Sequence, residues 1–319
     1  MLNDFIFSAN AVFPIFIIIG FGYILRQKIF LSPEGINDMN KLVFHFALPA
    51  VLFRNIYTAD FNALFNPTLM TWIVVSILLT YVGMWIFAEV YLRKRKELIS
   101  SFVQAAYRSN YAIVGLPIVA NIMGENNTGL AALSAAFIVT SFNILAVIVL
   151  VSKNTEGGGL SLNLFKSIVL GIFKNPLIIA IALGAALNLS PLSLPHIVRE
   201  SMWSMASLGT TLALIAVGGS MKFSEVRNFV QPVILSTVMK IVIMPTFVVV
   251  TSVLLGFRGE ELAVLFVMSA SPTAVASYIM AEKMGGSGAF TSTVILMATV
   301  FSSVTLTIGV YLIRMLGLL

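Results

Sequence analysis

The sequence predicts an all-α integral membrane protein with ten transmembrane helices in an inverted repeat of five plus five. Of its 319 residues, 59% are hydrophobic and 10% are charged, whereas soluble domains carry about 25% charged residues. Apolar runs long enough to cross a bilayer follow one another along the chain, separated by polar, charged or Gly/Pro segments. Two of these runs, about half a chain apart, contain polar and helix-breaking residues near their centres.

The apolar runs define the predicted helices in chain order. The first run is long and has no Lys or Arg before it, which is typical of a membrane span and not of a cleaved signal peptide. The helices are predicted near residues 5–25, 42–57, 68–92, 99–123, 130–151, 165–188, 196–219, 229–256, 261–284 and 287–315.

Positive charge in the connections predicts the orientation. Thirteen of the 19 Lys and Arg residues are assigned to the five odd-numbered connections and the span ends beside them, among them the run Arg93–Lys96. Because cytoplasmic loops are enriched in Lys and Arg, this pattern predicts a plasma membrane protein (the inner membrane in a bacterium) with both termini outside. The basic run could also bind anionic lipid or a partner. Its place in a short loop argues against nucleic acid as the partner.

The two halves of the chain resemble each other. A shift of 162 positions places Pro14 on Pro176 and Gly22 on Gly184. Each half contains five predicted helices, so the second copy must enter the membrane from the opposite side, and the repeat is inverted. The two repeats are residues 1–151 and 152–319.

The fourth helix carries polar residues at its centre. Arg108, Ser109 and Asn110 lie inside the apolar run and are followed by Gly115 and Pro117. Proline removes a backbone donor and glycine weakens a helix, so these two residues predict a break here. Unpaired peptide groups in hydrocarbon need protein or a polar cavity to satisfy them.

The ninth helix is the counterpart of the fourth. It contains Ser271, Pro272, Ser277 and Tyr278. A shift of 161 positions places Asn110 on Ser271 and Pro117 on Tyr278. We therefore expect the two broken helices to cross near the bilayer centre. Half-helix N-termini carry free N–H groups and partial positive charge, so the crossing favours an anion, in particular a carboxylate.

Charged and polar residues elsewhere in the spans each allow two interpretations. Arg108 could pair with Glu89 or attract the anion, and Lys240 could pair with Glu282 or lie on the anion pathway. His45 is either a packing residue or a proton-coupling group. The buried hydroxyl groups could bond to their own helix carbonyls or bind carboxylate oxygens. These hydroxyl groups belong to Thr210, Thr211, Ser269, Ser271 and Ser277.

Three motifs make this chain similar to the auxin efflux carrier family, which includes plant auxin carriers and bacterial permeases for small organic acids. Residues 110–118 read NYAIVGLPI, residues 208–221 read LGTTLALIAVGGSM, and residues 271–283 read SPTAVASYIMAEK. Plant carriers usually have asparagine at the position of Thr210 and proline at that of Ser277, which leaves the shape of the substrate open. Bile-acid/sodium symporters and sodium-proton antiporters share the crossed-helix architecture.

The resemblance implies a secondary transporter that moves a small organic anion, auxin-like or malate-like, by elevator-type alternating access. It implies a scaffold of helices 1, 2, 6 and 7, a transport domain of helices 3–5 and 8–10, and a homodimer. Substrate would bind at the crossing, between the two domains.

Two other functions stay open at this point. Residues 285–288 read GGSG, which fits the motif of an intramembrane serine protease with Ser287 as nucleophile, although His45 and His196 lie on distant elements. An anion channel would need a continuous polar pore, whereas the polar residues here cluster at mid-depth. The sequence contains no cysteine, HExxH motif, P-loop or dinucleotide-binding glycine pattern, so we expect neither an enzyme nor an ATP or metal cofactor.

Overall fold

The computed structural model describes residues 2–28, 30–58, 65–124, 128–154, 176–221 and 230–319, which form helices joined by short connections. In this part of the chain, six helices are long and apolar enough to cross a membrane, and two shorter apolar helices accompany them. The predicted all-α membrane class is therefore confirmed. The sixth predicted span is described from residue 176 onward, and residues 165–175 lie outside the described part.

The first half of the chain contains α1 (Leu2–Gln27), α2 (Pro33–Leu42), α3 (Leu48–Tyr57), α4 (Pro67–Tyr91), α5 (Ile99–Tyr107), α6 (Leu116–Met123) and α7 (Gly129–Asn154). The second half contains α8 (Pro176–Asn188), α9 (His196–Gly219), α10 (Val230–Val238), α11 (Met244–Leu254), α12 (Gly259–Ala270), α13 (Ala276–Lys283) and α14 (Gly288–Met315).

Three π-helical segments run directly into the helix that follows them, and in each case the second residue of that helix is proline. A proline has no N–H to donate and its ring clashes with the preceding turn, and the wider π turn accommodates both defects without ending the helix. The segments are Val43–Ala47, Tyr111–Gly115 and Met239–Ile243, before Pro49, Pro117 and Pro245 respectively.

The helices pack in two groups that share α1. In one group, α1 packs against α9, and α3 packs against both α8 and α9. In the other, α5 packs against α4, α7, α10 and α14, while α12 packs against α11. Helix α1 also contacts α6 and α14 of the second group. Both interrupted stretches, which follow α5 and α12, therefore lie in the second group.

The central helices are buried along their length, and the outer helices expose apolar side chains. Every residue of α5 is buried, and so are residues 262–270 of α12. Large apolar residues on α1, α4, α11 and α14 are exposed on the outer surface of the bundle. Such a surface suits contact with lipid tails, where an exposed apolar side chain costs nothing.

Candidate functional site

Both interrupted stretches contain a true break in the helix. α5 ends at Tyr107, and Arg108 is extended, with φ −79° and ψ 132°. α12 ends at Ala270, and Ser271 is likewise extended, with φ −59° and ψ 144°. The prediction that neither stretch is one continuous helix is confirmed.

The first break lies earlier than the sequence predicts. Gly115 ends a π-helical segment and Pro117 lies in the first turn of α6, so both belong to a helical joint. The prediction that these two residues open the helix is therefore wrong. The residues that leave helical geometry are Arg108, Ser109 and Asn110.

The two breaks contact each other directly. Ser109 and Thr273 form an isolated antiparallel β-bridge. The Asn110 amide N–H donates to the Pro272 carbonyl oxygen at 2.7 Å. The Thr273 hydroxyl donates to the carbonyl oxygen of Ala105, in the last turn of α5, at 2.7 Å. Each break thus supplies partners for backbone groups of the other, which is how irregular backbone is tolerated at membrane depth.

Thr273→Val tests whether this contact stabilises the fold. The variant keeps the side-chain shape but leaves the Ala105 carbonyl without its hydroxyl donor, which costs about 1–3 kcal/mol for a buried group. We expect a lower melting temperature in detergent. The control is Thr299→Val, because the Thr299 hydroxyl donates to Ile295 within its own helix, where that carbonyl also has a backbone partner. Equal melting temperatures for the two variants would contradict the assignment.

Arg108 is buried beside the crossing and is held by neutral groups. Its side chain is 6% exposed. Nη2 donates to Asn143 Oδ1 on α7 at 2.6 Å, and Nη1 lies 2.8 Å from the Met280 sulfur on α13. The partners of Arg108 are thus an amide and a thioether, and not Glu89, which accepts a hydrogen bond from Trp85 Nε1.

Lys240 lies in the π-helical segment Met239–Ile243 and is completely buried. Its Nζ donates to the Ser269 carbonyl oxygen at 2.6 Å. Ser269 is in the last turn of α12, where carbonyl groups lack helical partners and carry partial negative charge, so a cation is favourable there. The alternative partner, Glu282, has a side chain outside the described part of the structure.

Several polar groups around the crossing are buried without partners. Asn110 is 6% exposed. In the part of the chain that the structure describes, the Ser109 and Ser277 hydroxyls and Gln104 Oε1 are buried and lack a hydrogen-bond partner. Buried polar atoms nearly always have a hydrogen-bond partner, so these groups indicate a place for a polar guest or ordered water.

The other predicted crossing residues are at or next to the break. The Ser271 hydroxyl bonds to the Val267 carbonyl of its own helix at 2.6 Å, and Pro272 is buried. A Cβ on Gly115 would lie 3.1 Å from the Ser271 hydroxyl and closer still to the Tyr111 ring, so glycine allows the two segments to approach. Tyr278 is half-buried in the first turn of α13.

The remaining predicted residues lie on other elements. Thr211 is exposed on α9, and the Thr210 side chain is outside the described part of the structure. Helix α9 does contact the segment Tyr111–Gly115, which follows the first break. His45 is exposed on the segment Val43–Ala47, with its ring edge-on to Phe44. The structure does not bring His45 into the contacts of the crossing described above.

Ser287 has a structural role at the start of α14. Its hydroxyl accepts from the Phe290 amide at 3.3 Å, and its own amide donates to the Ser101 hydroxyl at 2.7 Å. A serine at this position is an N-cap, which satisfies the free N–H groups of the first turn. The GGSG sequence is explained by this cap.

Four residues around the crossing were not predicted from the sequence. They are Gln104, Asn143, Thr273 and Met280. Thr273 directly follows Pro272, and a hydroxyl beside a helix break is a natural capping group. Asn143 is a polar residue within a long apolar span, and that is a signal of function in a membrane helix. Nothing in the sequence pattern distinguishes Met280 from a packing residue.

Two broken helices that meet inside a helical membrane protein, with unpartnered polar groups around them, are typical of membrane transporters. The chain belongs to the membrane transport protein family, which matches residues 7–310. The resemblance to the auxin efflux carrier family is thereby confirmed.

The chain is similar to several transporters over most of its length. An uncharacterized transporter of Methanothermobacter thermautotrophicus is 24% identical, over 95% of this chain and 97% of the relative. The uncharacterized transporter YfdV of Escherichia coli K12 is 22% identical, over 87% of this chain and 88% of the relative. Auxin efflux carrier component 5 of Arabidopsis thaliana is 24% identical, over 86% of this chain and 88% of the relative.

Proposed function

We propose that this protein is a secondary transporter of a small organic anion, a carboxylate, which binds where the two broken helices meet. The main support for the proposal is that the charged side chains buried in the described part of the chain are positive. Among residues whose burial the structure describes, the buried charged side chains are Arg108 and Lys240, and no Asp or Glu is among them. Arg108 lies in the first break, and Lys240 contacts Ser269 in the last turn before the second.

A bound anion would supply the missing countercharge. Removing a cation from water costs several kcal/mol, and neutral hydrogen-bond acceptors repay only part of that cost. Arg108 is held by an amide oxygen and a thioether, and Lys240 by a carbonyl oxygen and the Met244 thioether. A carboxylate near these cations is therefore favoured over a cation or a neutral solute.

The unpartnered polar groups would hold the carboxylate and its substituents. An Asn side chain offers two donors, and a serine hydroxyl offers one. Asn110, Ser109 and Ser277 carry such groups at or beside the crossing, and the two serine hydroxyls have no partner in the described part of the chain. Helix α9, which contains the predicted Thr210 and Thr211, contacts the segment Tyr111–Gly115 that follows the first break, and we propose that it contributes to the site.

Transport would follow from movement of one helix group against the other. We assign α1–α3, α8 and α9 to a scaffold, and α4–α7 and α10–α14 to a mobile domain. In this proposal the chain has two inverted repeats of five spans, and each repeat contributes helices to both domains. The packing of α3 with α8 and α9 supports the first group, and that of α5 with α10 and α14 supports the second. An elevator-type movement, both termini outside and a homodimer complete the proposal.

Asn110→Ala tests the site. The variant removes amide donors from the crossing, and a hydrogen bond to a charged group contributes about 1.5–3 kcal/mol, so uptake should fall about tenfold or more. The measurement is uptake of radiolabelled pyruvate, malate and indole-3-acetate into proteoliposomes. Asn188→Ala is the matched control, because Asn188 bonds to Tyr57 between α8 and α3, away from the crossing.

The expected result is saturable uptake of at least one of these carboxylates by the wild type and by Asn188→Ala. Asn110→Ala should fold and have the melting temperature of the wild type, but its uptake of that carboxylate should be about tenfold slower or more. Wild-type uptake kinetics in Asn110→Ala would contradict the site. Absence of uptake of all three acids by the folded wild type would contradict the substrate class.

A further inference from the structure

Arg108 is a fixed positive charge whose partners do not neutralise it. A guanidinium group remains protonated in proteins and has five N–H donors. Here Nη2 donates to Asn143 Oδ1 at 2.6 Å and Nη1 contacts the Met280 sulfur at 2.8 Å. The usual buried partner of an arginine is a carboxylate, which forms a bidentate pair with it. In this position the chain has an amide instead.

The amide and the carboxylate have different consequences for a charged guest. Asparagine and aspartate have nearly the same shape, and both present an oxygen acceptor to the arginine. An aspartate would cancel the positive charge of Arg108, whereas asparagine orients the guanidinium and leaves its charge available. The same holds for the thioether of Met280, which is a weak and neutral acceptor.

The location of Asn143 also fits a positioning role. It lies on α7, one residue after Phe142, whose carbonyl oxygen accepts a hydrogen bond from the Tyr107 hydroxyl at 3.0 Å. Tyr107 and Arg108 are therefore both bonded to the same turn of α7, at the point where α5 ends. α7 thus fixes the direction in which Arg108 leaves the broken helix.

We infer that Asn143 is a positioning residue that sets charge selectivity: it holds the Arg108 guanidinium beside the crossing by a neutral contact, so that the charge selects an anionic substrate. This inference rests on the proposed function. It makes Arg108, Asn143 and Met280 one unit, in which the side chain of Asn143 never needs to touch the substrate.

Asn143→Asp separates this role from a merely structural one. If the contact only stabilises the fold, aspartate accepts the same hydrogen bond and transport is kept. If the contact preserves charge, the buried Asp–Arg pair keeps or raises the melting temperature while the KM for a carboxylate rises about tenfold or more, since a like charge near the anion is strongly unfavourable. The probe is the acid among pyruvate, malate and indole-3-acetate that the wild type transports fastest.

A second variant covers the case in which Asn143→Asp does not fold. Asn143→Ala releases Arg108 without adding charge, and we expect a KM raised about fivefold or more with less change in the maximal rate. Wild-type KM in folded Asn143→Asp, or in Asn143→Ala where the first variant fails to fold, would overturn the inference and leave the proposed function intact. If the wild type transports none of the three acids, the proposed function itself fails.

Discussion

Lys240→Met should abolish most transport of an organic anion while leaving the protein folded. Methionine has nearly the length of lysine and no charge, so the substitution removes the charge and retains most of the volume. The Ser269 carbonyl loses a charged donor, worth about 1.5–3 kcal/mol, but the penalty for burying the ammonium group is removed as well. These two effects oppose each other, so we expect little change in melting temperature.

The effect on substrate binding has no such compensation. Two unit charges about 8 Å apart attract each other by about 2 kcal/mol at an effective dielectric constant of about 20, which corresponds to about thirtyfold in affinity. The control is Lys41→Met, the same substitution at a lysine that is exposed and paired with Asp38. Uptake at the wild-type KM in Lys240→Met would contradict a role for this charge in binding.

Gly22→Val should prevent α1 from docking on α9 and leave little folded protein. A Cβ at Gly22 would overlap the backbone of Ile215, and a Cβ at Gly218 would overlap the carbonyl oxygen of Ile19. The two helices therefore touch through their backbones at both points. Overpacking usually costs about 1–3 kcal/mol when side chains can adjust, and more where the obstacle is backbone.

Gly20→Val is the matched control, on the same helix and two residues away. A Cβ at Gly20 would meet nothing within 4 Å. We expect wild-type yield and a monodisperse peak in size-exclusion chromatography for Gly20→Val, and aggregation or loss of the peak for Gly22→Val. Similar yields for both variants would show that α1 and α9 do not pack this closely.

The sequence correctly predicted which two spans are interrupted, but not the residues at which the first interruption occurs. Polar residues inside apolar runs, with glycine and proline after them, indicated two interrupted spans, and both are interrupted. The predicted position of the first break was wrong because a π-helical turn accommodates Pro117 within a helix. The actual break follows from hydrogen bonds to Pro272 and Thr273 in the other half of the chain, which no local rule reveals.

The groups that contact the buried charges could not be predicted from the local sequence either. Glu89 was a predicted partner of Arg108, whereas in the structure an amide and a thioether contact it. Lys240 contacts a backbone carbonyl, and any residue type could supply that group. Pattern and composition thus predicted that charges are buried, but tertiary packing decides which neutral atoms surround them.

We propose that a carboxylate binds where the two broken helices meet. The most direct test is the melting temperature of purified protein with pyruvate, malate or indole-3-acetate, with and without sodium, because a ligand that binds only the folded state stabilises it by mass action. We expect at least one acid to raise the melting temperature of the wild type, and the same acid to leave Asn110→Ala unchanged. No rise with any acid, or an equal rise in Asn110→Ala, would contradict the claim.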